Sequence, residues 1–130
     1  MRKWKYLDSD SNRKKVINFY LANVTEIDMI KNRIGQVFGD YLLTCPTYYM
    51  AKDVMLWSGN SKVYFYKLTH HSKVSLSHRV LNESWIGTGH ADDLEYVFGL
   101  PFSVPESYTE QDRNFSLLIM NLWTNFAKTG

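Results

Sequence analysis

Apolar residues recur at helical spacing along much of the chain, and residues that favour helix starts precede several of these stretches. The clearest stretch follows Thr25, which together with Asp28 predicts an N-terminal cap, and Gly39 predicts its end. Apolar residues three or four positions apart lie on one face of a helix. In this stretch they are Ile27, Ile30, Ile34, Val37 and Phe38.

The same reasoning predicts two neighbouring helices. Asp10 or Ser11 suits the cap of a helix that runs through Tyr20. Pro46 suits the first turn of another helix, which runs to about Trp57. Ser-Gly-Asn at 58–60 predicts its end.

The C-terminal part reads as short elements followed by one long helix. A short helix is predicted at 92–98, and 101–105 reads as a turn-rich connector. Thr109 with Asp112 predicts the cap of the last helix. Its apolar face consists of Phe115, Leu118, Ile119, Leu122 and Phe126.

One stretch, Val63–Leu68, predicts a β-strand, because valine and aromatic residues fill it without polar alternation. Such a run is typical of a strand covered on both faces, as in a parallel sheet. Its backbone groups then need neighbouring strands as partners. The sequence offers no second strand of comparable strength, so we expect the chain to be incomplete as a domain.

Composition narrows the possible functions. The chain has 130 residues, 45% of them hydrophobic, which is a globular composition within the size of one domain. A formal net charge of +2 gives no broad case for nucleic-acid binding. The basic and aromatic residues of 1–15 are expected to be a solvated terminus. No apolar run approaches the roughly eighteen residues that span a bilayer, and no signal peptide is expected.

A histidine between glycines carries the most informative chemistry. His90 follows Gly87 and Gly89, which allow a close backbone path on a loop, and it precedes Asp92 and Asp93. Acidic residues in a first helical turn complement the helix dipole, which is the ordinary role of such a pair. An imidazole on a loop after a buried strand suits proton transfer, because its usual pKa allows it to act as base and as acid.

This segment resembles the C-terminal part of the type-B carboxylesterase and cholinesterase family, serine hydrolases of α/β-hydrolase fold. His90, the two aspartates and Phe98-Gly99 match the family's histidine motif. Gly39-Asp40 to Cys45-Pro46 is similar to a second motif, and 122–130 is similar to the family's Trp-x-Asn-Phe-Ala-x-Thr-Gly ending. The resemblance covers about 16–130. It implies that 1–130 is the C-terminal segment of such a domain, α/β in class, mostly helical with one strong strand.

The resemblance implies that His90 is the catalytic histidine of a Ser-Glu/Asp-His triad acting on a small-molecule carboxylic ester. Asp93 is implied to be a supporting residue, whereas the triad acid follows an earlier strand in the family. No Gly-x-Ser-x-Gly occurs in the chain. We therefore expect the nucleophile, the oxyanion loop and the acid in the remainder of the parent hydrolase, and no esterase activity from this chain alone.

The residues around His90 also bear on substrate specificity. His-Ala-Asp-Asp at 90–93 is closer to arthropod-type carboxylesterases than to cholinesterases, which commonly have glycine and tyrosine after the histidine. Trp85 matches an aromatic residue of the cholinesterase gorge and is a candidate for the substrate pocket, with ordinary packing as the alternative.

No cofactor or metal is expected. His70 and His71 are neighbours, but no cysteine or acidic residue stands near them at ligand spacing, so surface histidines are the preferred interpretation. Cys45, the single cysteine, has the ordinary reading of a small buried residue. By resemblance to cholinesterases, it instead pairs with a cysteine beyond Gly130.

Sequons at Asn23, Asn82 and Asn114 are glycosylation candidates in a secreted or extracellular parent protein, the first two on predicted loops. Two alternatives to an ester hydrolase stay open. The first is a cholinesterase-like adhesion protein of the same fold without a nucleophile. The second is an independent small helical module that binds through its basic N-terminus. The oligomeric state stays open as well.

Overall fold

The computed structural model describes residues 9–59 and 62–130, and every regular element within these ranges is helical. The elements are α1 (Asp10–Leu21), α2 (Ile27–Gly39), a π-helical segment (Asp40–Thr44), α3 (Cys45–Trp57), α4 (Leu76–Leu81), α5 (Asp93–Val97), α6 (Leu100–Ser103) and α7 (Glu110–Thr129). The basic cluster at 2–5 and Asn60 lie outside the described residues.

Helices α1 to α3 form the N-terminal region, with α1 packed on α2. The predicted helices are confirmed, but two of their ends differ. Ser9, rather than Asp10 or Ser11, caps α1, its hydroxyl accepting the N–H of Asn12 at 3.2 Å. Glu26, rather than Thr25, is the N-cap of α2 and makes no side-chain capping bond.

Helix α2 ends at Gly39, as predicted, but Gly39 does not interrupt the helical course of the chain. Its φ of −60° is helical, and the chain continues through the π-helical segment into α3. Glycine is common after a helix because it tolerates positive φ, but that freedom is not used here. A single widened turn is the usual form of π-helix within an α-helix, and the change in register re-aims the side chains that follow.

The strand predicted at Val63–Leu68 is absent, since 62–71 has no regular secondary structure among the described residues. The physical reason is the one that made the stretch unusual: a strand forms through hydrogen bonds to a neighbouring strand, and the described chain contains none. Its aromatic side chains instead contact helices. The ring of Tyr64 lies 5.8 Å from that of Phe126 on α7, and the ring of Phe65 lies 5.9 Å from that of Tyr48 on α3.

The C-terminal region, residues 72–130 with α4 to α7, contains all the buried residues of the described chain. Helix α5 packs on α6 and α7, with Tyr96 fully buried between them. The predicted capping box at the start of α7 is confirmed: Thr109 Oγ1 accepts the N–H of Asp112, and the Asp112 carboxylate accepts the N–H of Thr109. The polar stretch 69–89 contains α4, which is capped by Ser75.

None of the described helices is long and apolar enough to cross a bilayer. The apolar faces predicted for α2 and α7 remain largely exposed, with Phe38 and Phe126 each about half accessible.

Candidate functional site

The loop that carries His90, residues 82–92 between α4 and α5, is closed by a buried carboxylate. Asp92 is 1% exposed, and its oxygens accept the N–H of Gly89 at 2.8 Å, the N–H of Ser77 at 2.9 Å and the hydroxyl of Ser77 at 2.6 Å. A carboxylate that accepts several hydrogen bonds offsets the cost of its burial. Asp92 therefore ties both sides of the His90 turn to the start of α4, a role that helix capping did not predict.

Gly89 allows this close approach. A Cβ at this position would lie 2.5 Å from the Cβ of Ser77, which is closer than two nonbonded carbon atoms come in proteins. Only glycine therefore fits between the His90 turn and α4. This close approach to Ser77 explains why a glycine stands directly before His90 in the sequence.

Two further hydrogen bonds fix the approach to the turn. Thr88 Oγ1 donates to the carbonyl of His70 at 3.1 Å. Asn32 on α2 donates through Nδ2 to the carbonyl of Trp85 at 2.8 Å. The second bond joins the loop to the N-terminal region across 53 positions of the sequence.

His90 itself is exposed, and the described structure gives its imidazole no hydrogen-bond partner. It is followed by Ala91 at φ 71°, a left-handed conformation that costs a non-glycine residue about 1–2 kcal/mol. The turn thus carries local strain at the residue next to the histidine, a position where cholinesterases commonly have glycine. Strain of this kind persists where the surrounding structure fixes the backbone.

Asp93, the first residue of α5, takes a different partner from Asp92. Its carboxylate accepts the hydroxyl of Tyr66 at 2.6 Å. Burial, and then this hydrogen bond to an anion, raise the pKa of Tyr66 to about 12, so the phenol stays protonated as the donor. The contact joins the start of α5, directly after the His90 loop, to the segment that was predicted as a strand.

Trp85, five residues before His90 in the loop, is half-buried. Its indole Nε1 donates to Glu83 at 3.0 Å, and the ammonium of Lys31 lies 5.8 Å from its ring centroid. A cation at this distance over an indole is attracted by the face of the ring.

An open cleft of about 810 Å³ lies between the His90 loop, α2 and the 65–69 segment. Its lining includes His90 and Trp85 from the loop, Asp93 from α5, and Asn32 and Gln36 from α2. The structure therefore brings the three residues singled out in the sequence to one cleft. Asn32 and Gln36 gave no sequence signal, because their proximity to His90 depends on how α2 packs.

The remaining histidines take other roles. His70 is half-buried, with Nε2 2.8 Å from Asp112 Oδ1 and its ring stacked on Phe115 at 4.3 Å. His71 and His78 face one another, with their Nε2 atoms 3.1 Å apart. Burial, and then the neighbouring His78, lower the pKa of His71 below its ordinary value. The described residues contain no group of three or more side chains placed to hold a metal.

A comparison with protein families now decides the affiliation: the model of the carboxylesterase family matches residues 1–130. The chain belongs to the carboxylesterase family. The resemblance seen in its motifs is confirmed at this level, and the chain is a segment of a carboxylesterase-family protein.

Among similar proteins are Acetylcholinesterase-1 of Trittame loki, 37% identical over 88% of this chain, and bile salt-activated lipase of Homo sapiens, 38% identical over 70% of it. Acetylcholinesterase of Bungarus fasciatus is 36% identical over 77% of the chain. The matched part makes up 20%, 11% and 16% of these relatives, so the chain spans a fifth or less of their length. No solved structure matches it.

Within this carboxylesterase segment, the sequons and the cysteine lie on the surface. Asn23 and Asn82 are exposed in left-handed turns after α1 and α4, whereas Asn114 is exposed within α7. Cys45 is exposed at the start of α3, so its reading as a buried residue is wrong. No residue of α3 is buried, so this helix offers the thiol no core to pack into.

Proposed function

We propose that this carboxylesterase segment supplies the catalytic histidine, His90, of a serine hydrolase that cleaves small-molecule carboxylic esters. One observation carries the proposal: the imidazole stands exposed and without a partner at the cleft, on a turn whose backbone is fixed on both sides. A general base needs a free nitrogen and a fixed position, and this turn provides both.

His90 would act twice in one turnover. It takes the proton of a serine hydroxyl as the oxygen attacks the ester carbonyl, and it returns that proton to the departing alcohol. The resulting acyl-enzyme then reacts with water, whose proton passes to His90 and from there to the serine oxygen as the acid leaves. No cofactor or metal takes part in this scheme.

The nucleophilic serine, the oxyanion donors and the triad acid would come from the remainder of the parent hydrolase. Asp92 does not suit the role of acid, because its oxygens are taken by Ser77 and Gly89. Asp93 is engaged by Tyr66 and suits the supporting role, in which its charge and hydrogen bond hold the loop at the cleft. Triad acids orient the histidine by a direct hydrogen bond, which neither aspartate makes in the described structure.

Trp85 is the proposed substrate-pocket residue. Its indole lies at the cleft but is already approached by Lys31, so a cationic substrate would have to displace that ammonium. Neutral esters avoid this competition. We therefore expect hydrolysis of neutral p-nitrophenyl esters to be faster than hydrolysis of choline esters.

The test begins with the coding sequence around this segment. We expect a Gly-x-Ser-x-Gly upstream, and we expect the longer protein to hydrolyse p-nitrophenyl acetate. His90→Gln should lower kcat by about six orders of magnitude, as removal of a triad histidine does. Asp53→Asn on exposed α3 is the matched control and should leave kcat unchanged.

The alternative, an adhesion protein of the same fold, predicts the opposite results. The esterase proposal would be contradicted if the upstream sequence lacked a Gly-x-Ser-x-Gly motif. It would also be contradicted if the longer protein had this motif and were inactive. The 130-residue chain alone should show no turnover above buffer, since it lacks a nucleophile elbow.

We further propose that the parent protein is secreted and carries glycans at Asn23 and Asn82, because both side chains are exposed in turns. Asn114 is the weaker candidate, since Ser116 of its sequon is buried and bonded to the carbonyl of Tyr96. Treatment of the secreted protein with an N-glycosidase that converts glycosylated asparagine to aspartate should change Asn23 and Asn82, as read by peptide mass spectrometry. Cys45 should resist alkylation if it is paired with a cysteine beyond Gly130.

A further inference from the structure

Two histidines outside the cleft point their free nitrogens at each other. His71 precedes α4 and His78 lies on it, and their Nε2 atoms are 3.1 Å apart with ring centroids 4.8 Å apart. In the sequence, His70 and His71 are neighbours with no third ligand at metal-binding spacing. The fold instead commits His70 to Asp112 and brings His78 to His71.

The position of His78 is fixed by buried polar groups. Ser75, 1% exposed, accepts the N–H of His78 at 3.5 Å and lies 3.1 Å from the hydroxyl of Ser77. Ser77 is in turn held by the buried Asp92. The start of α4 is therefore tied to the core, which limits how far the second imidazole can move from the first.

The separation of the nitrogens matches that of two ligands on one metal ion. A Zn–N bond is about 2.0–2.1 Å, so two imidazole nitrogens lie about 2.9 Å apart at a right angle and about 3.4 Å apart at a tetrahedral angle. The observed 3.1 Å falls between these limits. Both rings would bind as neutral imidazoles, the form that burial favours for His71.

We propose that His71 and His78 form a two-imidazole binding site for a transition-metal ion of the Zn²⁺, Ni²⁺ and Cu²⁺ class. Water would fill the remaining coordination positions, because no third protein ligand of suitable type stands with them in the described chain. Imidazole nitrogens prefer these ions, whereas Mg²⁺ and Ca²⁺ require oxygen ligands. The site is separate from the cleft and does not depend on the proposed esterase function.

The test is calorimetric titration of the untagged 130-residue chain with ZnCl₂, followed by NiCl₂, CuCl₂ and MgCl₂. We expect one saturable site, tightest for Cu²⁺ in keeping with the usual order of affinities, and no binding of Mg²⁺. His71→Gln and His78→Gln should each weaken binding at least tenfold. His90→Gln, which removes another exposed imidazole, should leave it unchanged.

The pair has an alternative state, a simple N–H···N hydrogen bond between two neutral rings, and that state predicts no saturable binding. No binding by the unmodified chain, or binding that persists in either histidine variant, overturns the proposal. Electron paramagnetic resonance of the Cu²⁺-loaded unmodified chain provides a test that needs no variant. Hyperfine structure from two imidazole nitrogens supports the site, and a spectrum from one or none overturns it.

Discussion

The N-terminal and C-terminal regions of this carboxylesterase segment are organised in different ways. Between residues 9 and 59, which include α1, α2 and α3, no residue is buried. Every buried residue of the described chain lies between Ser72 and Ser116. The first region has strong helical patterns and exposed apolar faces, whereas the second has short helices and a core.

The C-terminal core is unusual in its reliance on buried carboxylates. Asp92, Glu95 and Asp112 are each 5% exposed or less, and each accepts hydrogen bonds from residues distant in sequence. Glu95 is paired with Arg79 and accepts the hydroxyl of Tyr108 at 2.9 Å. Satisfied polar networks of this kind fix one arrangement, because a change of register leaves buried groups without partners. The spacing of apolar residues is enough to form a helix. A loop such as the one that carries His90 is fixed only by buried polar groups that have hydrogen-bond partners.

The largest effect is expected from Asp92→Ala. The change leaves the N–H groups of Ser77 and Gly89 and a hydroxyl without their acceptor, each at a cost of about 1–3 kcal/mol. We expect the free energy of unfolding to fall by about 4 kcal/mol in urea denaturation. The control Asp53→Ala on exposed α3 should change it by less than about 0.5 kcal/mol. If both variants lowered the free energy of unfolding by the same amount, the two regions would not differ in the way described.

A pair of apolar truncations sharpens the same contrast. Ile86 is 8% exposed beside the cleft, whereas Trp57 at the end of α3 is 88% exposed. Ile86→Ala should lower the free energy of unfolding by about 2 kcal/mol, because the buried side chain leaves a cavity. Trp57→Ala removes a larger side chain and should still cost less than about 0.5 kcal/mol, as measured by the same denaturation.

Acidification should weaken the C-terminal region. Burial by itself acts to raise the pKa of Asp112, but the hydrogen bonds from Thr109 and His70 outweigh it and hold that pKa below its ordinary value. The stabilisation is therefore present above the unfolded pKa of about 4 and is lost as the pH falls through the lower folded value. Glu95 acts in the opposite sense, because burial raises its pKa, and it offsets part of the loss.

We expect the free energy of unfolding to decrease between about pH 4 and pH 2. His70→Gln removes one of the groups that lower the pKa of Asp112, and it should make this decrease shallower. Urea denaturation at a series of pH values measures the slope. A steeper slope in the variant would contradict the assigned role of His70.

The smallest expected effect is an increase in the free energy of unfolding. Ala91→Gly relieves the left-handed backbone next to His90 and should raise the free energy of unfolding by about 1 kcal/mol. Asn23, in the N-terminal region, has a similar φ of 61°. Asn23→Gly should be close to neutral in thermal denaturation, because asparagine tolerates this conformation. A loss of stability in Ala91→Gly would show that no strain resides at the turn.

The sequence by itself determined the longer helices and the family. Apolar spacing located α1, α2, α3 and α7, because a helix depends on residues within a few positions of one another, whereas among the predicted caps only that of α7 is confirmed. The histidine motif located the His90 turn, since glycine and carboxylate signals are local as well. The same reasoning could state that the 63–68 stretch needs partners, but it could not say what the stretch becomes without them.

Only the tertiary structure decided which distant groups meet. It committed Asp92 to Ser77, gave Asp93 to Tyr66, and brought Asn32 to the cleft and His78 to His71. None of these contacts follows from spacing, because each joins separate segments whose relative position is fixed by packing. The helices therefore follow from neighbouring residues, and the surroundings of His90 follow from contacts between segments far apart in the chain.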